Sequence, residues 1–128
     1  MKIRIEDNSV RYRLRKSEVE VLAVEGSLKA AAIFPQGAFE YALQSNPGVS
    51  DLKASFSNGR MTVEIPAAWV QEWPGSSRVG FETHMQEGDA PLHLLIEKDF
   101  VCLDRDLSSQ ADQYPNPKMD HHSSKEKR

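Results

Sequence analysis

The chain has a single cysteine, Cys102, and so cannot form an internal disulfide. No apolar run approaches the ~18 to 20 residues of a membrane span; stretches such as Ala30 to Pro35 fall far short. The N-terminus lacks the basic-then-apolar layout of a secretory signal. These absences lead us to expect a protein of the reducing cytoplasm with no membrane partner. Cys-x-x-Cys and His-Glu-x-x-His spacings, which hold zinc, are missing, and no calcium-loop spacing is present. No cofactor is expected. Nor does a repeat of fixed period show itself. Both halves run strands, a short helix and more strands, yet the residues around the helices expected at Ser17 and Pro66 do not match.

What is present suits one domain. With 128 residues, 39% hydrophobic and 27% charged, the chain can bury a core without metal or disulfide staples. Residues 1–105 are expected to form it. The segment 106–128, "DLSSQADQYPNPKMDHHSSKEKR", has few apolar anchors and reads as a polar, flexible tail, within which Tyr114-Pro115 can dock on the domain. The net charge of -3 hides an asymmetry: residues 1–16 hold six Lys/Arg against two acids, and residues 17–96 hold four against ten. A basic end beside an acidic middle predicts internal charge pairing ahead of nucleic-acid binding.

Alternation of Ile3 and Ile5, then of Val10, Tyr12 and Leu14, with charged residues predicts a hairpin turning at Asp7-Asn8-Ser9. "SEVEVLAVEG" fits either period. A helix is favoured, capped by Ser17 with Glu20 reaching back, and ended by Gly26. Strands are expected at Leu28–Phe34 and Ala38–Leu43, then a hairpin in "LKASFSNGRMTVEI" around Asn58-Gly59. Pro66 suits the first turn of a second helix, stopped by Pro74-Gly75, with strands from Val79 to His84 and Leu92 to Glu97 after it. The fold class is α+β: a largely antiparallel, curled or partly closed sheet, two short helices and a polar C-terminal tail.

Four stretches in order, "KIRIEDNSVRYRLRKSEVE", "FPQGAFEYAL", "LIEKDFVCLDR" and "DQYPNPK", resemble a family of small bacterial proteins classed as a domain of unknown function. The resemblance spans roughly residues 2 to 118. It implies a bacterial, cytosolic setting and brings no activity, cofactor or catalytic residue with it.

Function must therefore come from side chains. Cys102 sits among Glu97, Asp99, Asp104 and Asp106, carboxylates that oppose thiolate formation, so a buried apolar role is favoured over a nucleophilic one. Lys98-Asp99 is expected to mark a bend. Those four acids form a candidate site for a hard cation such as Mg²⁺, with Lys98 and Arg105 beside them as competing partners. His84 and His93 fall on neighbouring strands without zinc spacing. Trp69 and Trp73, one helical turn apart, are expected in the core ahead of forming an exposed partner patch.

The strongest hint is an arginine row. Arg4, Arg11 and Arg13 share the outward face of the first hairpin, with Arg15 farther along, and such a row can grip phosphate groups. Glu40, Glu64 and Glu82 are the expected competing partners. The reading that follows is a non-catalytic binding or interaction module for a phosphate-bearing anion. Its rival is a metal-dependent phosphohydrolase of the triphosphate-tunnel type, from whose Glu-x-Glu-x-Lys opening Lys2-Ile3-Arg4-Ile5-Glu6 departs.

Overall fold

In the computed structural model, which describes residues 1–100 and 112–115, the opening alternation forms a hairpin of β1 (Lys2–Glu6) and β2 (Ser9–Leu14). Asp7 turns it at φ 51°, a left-handed conformation that its short polar side chain tolerates. Helix α1 (Lys16–Glu25) follows. Its cap differs from the expected one: the residue at the cap is Arg15, whose N–H donates to Glu18 Oε1 at 2.8 Å, so Glu18 and not Glu20 reaches back. Ser17 lies inside the first turn. Gly26, at φ 84°, ends the helix as expected, donating its N–H to the Leu22 carbonyl.

β3 (Ser27–Phe34) and β4 (Gly37–Asn46) pair antiparallel, as do β5 (Lys53–Ser57) and β6 (Arg60–Pro66) around Asn58-Gly59, both with positive φ. Pro66 leads into α2 (Ala67–Glu72), and a 3₁₀ turn over Trp73–Gly75 ends it. The last hairpin is β7 (Gly80–Met85) with β8 (Leu92–Lys98). The strands make two open four-stranded sheets, β1-β2-β8-β7 and β3-β4-β6-β5, called sheets A and B below. The fold is thus α+β and mostly antiparallel. The two inner pairs, β2 with β8 and β4 with β6, are parallel.

One apolar core lies between the layers. Val10, Tyr12, Leu14, Leu94 and Ile96 enter from sheet A, Leu43, Met61, Val63 and Ile65 from sheet B, and Val19, Leu22, Val70 and Trp73 from the helical layer. Trp73 is a core residue, its indole N–H donating to the Arg78 carbonyl at 2.9 Å, and Trp69 stacks on Phe81 at 5.1 Å between ring centres. Removing the Trp73 ring would cost roughly 3 to 5 kcal/mol.

The strand registers bear out the common plan of the two halves, without a fixed period. The shift that carries Lys2 to Lys53 and Arg13 to Glu64 superposes the β1–β2 register on that of β5–β6, and places Asp7 on Asn58, both at φ 51°. A shift from Ser27 to Gly80 carries Gln44 to Glu97 and superposes β3–β4 on β7–β8. Connecting hydrogen bonds match as well. Glu40 N–H donates to the Gly59 carbonyl and His93 N–H to that of Asn8, while Ser45 and Lys98 donate to Gly26 and Val79. Each half is therefore a strand–strand–helix–strand–strand unit, and the units interleave, each sheet taking one hairpin from each. The repeat lives in register and apolar phase, which residue identity does not display.

Residues Asp112–Pro115 return to the domain. The Asp112 carboxylate accepts the Ser17 N–H and hydroxyl at 3.1 and 2.5 Å, and its carbonyl accepts the Lys16 N–H, so this distant residue caps α1. Tyr114 is buried against Phe100, with Lys98 Nζ above its ring at 4.8 Å. Burial pushes the Tyr114 phenol up to about 12, helped by the charges of Glu20 and Asp112.

Candidate functional site

Strand alternation gives sheet A an apolar inner face and an outer face whose side chains run across the sheet in rows. Lys2, Arg13, Glu97 and Gly80 make one row; Arg4, Arg11, Leu95 and Glu82 the next; Glu6, Ser9, His93 and His84 the third. Close approach fixes the end of the first row: a Cβ on Gly80 would lie 2.1 Å from the Ile96 carbonyl oxygen. Four cations thus stand together at the β1–β2 side of the face. Lys2 belongs with them, and the sequence reading missed it although it shares the phase of Arg4.

Glu97 organises two of the guanidinium groups. Its side chain, 6% exposed, lies under them, with Oε2 3.2 Å from Arg11 Nε and 3.3 Å from Arg13 Nε. A carboxylate so far withdrawn from water needs such partners, and in return fixes where both planar forks point. Lys2 Nζ lies 3.0 Å from Asp99 Oδ2. Burial alone would raise the Asp99 carboxyl, but the Gln113 and Lys2 hydrogen bonds and the charges of Lys2 and Arg13 hold it below the ordinary range. Arg4 is the loosest of the four, 3.7 Å from an equally exposed Glu6.

Lys2, Ile3, Arg4, Arg11 and Arg13 line a depression of about 150 Å³, and a second of about 240 Å³ adjoins it between Arg4, Glu6, Ser9 and Arg11. At the far side of the second, Ser9 Oγ lies 3.0 Å from His93 Nδ1, and His93 Nε2 lies 2.5 Å from Glu82 Oε2. An ionised carboxylate only accepts, so Nε2 carries the hydrogen; in the neutral ring, Nδ1 then accepts from Ser9. His84 stacks on His93 at 4.6 Å.

Arg15 is not part of this group. It stands at the start of α1, 3.5 Å from Glu18 and 3.8 Å from Asp112. Nor do the three glutamates expected to neutralise the row do so: Glu40 pairs with Arg60 at 2.7 Å, Glu64 lies across from Lys53, and Glu82 meets His93. Glu97 takes that role. The candidate cation site shrinks accordingly, since Glu97 and Asp99 are engaged by Arg11, Arg13 and Lys2, while Asp104, Asp106 and Cys102 lie outside the described residues. Among the described residues no three His, Cys, Asp or Glu side chains gather as metal ligands. Among the described residues a basic tunnel is not formed either: the sheets stay open, and Arg4, Arg11 and Arg13 lie on an outer face while the interior is apolar.

The chain belongs to a family of unknown function (DUF7009), whose model matches residues 1–118. No curated protein and no solved structure matches it. Among the described residues, no helix is long and apolar enough to cross a membrane.

Proposed function

We propose that this protein is a binding module whose basic face, made of Lys2, Arg4, Arg11 and Arg13, recognises a phosphate-bearing anion. The observation that carries the reading is the convergence of these four cations on one depression of about 150 Å³, two of them aimed by a buried carboxylate beneath. Planar guanidinium forks suit phosphoryl oxygens, and holding them in place before the ligand arrives reduces the ordering cost of binding. The size favours one or two phosphoryl groups. No Phe, Tyr or Trp stands in the three outer rows, so the face lacks the large aromatic rings on which single-stranded nucleic acid stacks, His84 and His93 being its aromatic side chains. Metal-dependent hydrolysis in a tunnel finds no support in an open pair of sheets.

Isothermal titration with inorganic pyrophosphate at low salt tests the reading. Binding is expected, weakening at least tenfold in Arg11→Ala, a change of about 1.4 kcal/mol, and unchanged in Arg60→Ala, whose arginine pairs with Glu40 on the other sheet. An equal loss in both variants, or no heat with the wild type, would overturn it.

A further inference from the structure

We propose that two copies of this chain associate through the β3–β4 hairpin, with the edges of β3, unpaired among the described residues, pairing antiparallel across a two-fold axis. Ten consecutive residues, Ala30–Phe39, carry no charge, although Lys29 and Glu40 flank them. β4 meets β6 only from Glu40 onward, so the end of this hairpin projects past sheet B as an arm. Every residue from 31 to 38 is exposed.

The other edge strands show how this molecule protects an edge. β1 carries Lys2, Arg4 and Glu6, β5 carries Lys53, and β7 carries Glu82 and His84. The twin of β3 is β7, and it is fastened to sheet B: Thr83 Oγ1 donates to Asp51 at 2.9 Å, and Met85 Sδ accepts the Ala54 N–H at 3.3 Å. The shift that superposes β3 on β7 puts Ala30 at Thr83 and Ala32 at Met85. Alanine can make neither contact. The loop after β7 holds Glu87 and Asp89, whereas the arm's tip is Pro35-Gln36. β3 carries a single charge near its start, Lys29, as β5 does in Lys53, but the arm beyond it is uncharged and lacks the fastening its twin has.

A second copy suits this surface. Antiparallel pairing about a two-fold axis sets residue i against residue j and j against i, and an uncharged, alanine-rich segment meets itself without repulsion while pairing its outward N–H and C=O groups. The arm is also continuous with a groove of about 340 Å³, because Phe39 at its root lines that groove and stacks on Phe56. Ile33 and Phe34 of β3 are each more than half exposed. These two side chains alone offer on the order of 250 Å², to which the paired strands add, against roughly 800 Å² per partner in a standard interface.

Sedimentation velocity tests the proposal. The wild type is expected at twice the 14.4 kDa chain mass, with Ile33→Lys and Phe34→Glu each returning it to the single-chain mass with an unchanged circular dichroism spectrum. Val24→Lys, an exposed apolar position on α1, should remain dimeric. A second measurement needs no variant: on diluting the wild type, amide hydrogen exchange at 30–34 should accelerate while that of β6 does not. A wild type of single-chain mass at its highest attainable concentration, or dilution-independent exchange in β3, would overturn the dimer. Either outcome leaves the anion titration unaffected.

Discussion

Glu97 shows what a single residue's surroundings decide. In the sequence it stands beside Asp99 as one of a run of acids; in the fold it sits under Arg11 and Arg13 because β8 lies parallel to β2, a pairing across most of the chain. Phase along one strand foretold which arginines share a face but not which distant strand would lie beside them. Acid stability is argued at the same scale. Burial would raise Glu18 and Asp99, but Met1's ammonium and Arg15 on the first, and Gln113 and Lys2 on the second, hold both below the ordinary carboxylate range. Each folded-state pKa is thus lower than its unfolded value of about 4, so each contributes stability above that pH and loses it as pH falls through the folded value. The urea midpoint should be level near neutrality and decline below about pH 4. Asp99→Asn should be less stable at neutral pH and lose less on acidification; a decline as steep as the wild type's would contradict this.

At the scale of elements, the strands of all four hairpins, both helices and their stops were legible, because alternation, Asn58-Gly59, Gly26 and Pro74-Gly75 are local signals. The cap of α1 was not. Arg15 offers no accepting side chain, so only Glu18 three residues on marks it, and the carboxylate that serves Ser17 arrives from Asp112. Gly80 was equally silent, since nothing around it in the sequence says that β8 passes so close. Gly80→Ala should therefore force β7 off β8, costing about 3 kcal/mol by over-packing. Chemical denaturation measures this directly, and a loss under about 0.5 kcal/mol, the range of an ordinary surface substitution, would contradict the close approach.

For the whole molecule, the interleaving of two like halves governs cooperativity. Neither half completes a sheet alone: β2 needs β8 and β6 needs β4. Both tryptophans, Trp69 and Trp73, lie in the second half, so their fluorescence reports on it, while far-UV circular dichroism reports on both. The two signals should give one urea midpoint. Separate midpoints would mean that the halves fold independently.

The same assembly carries the first hairpin's cations onto the buried carboxylate of the last, and on this the proposed function rests. Its most direct test is amide and guanidinium chemical-shift mapping during a pyrophosphate titration. The account predicts that the largest shifts fall on Lys2, Arg4, Arg11 and Arg13, with Glu97 following. Shifts centred on Arg60 or Arg78, or no shifts at all, would contradict it.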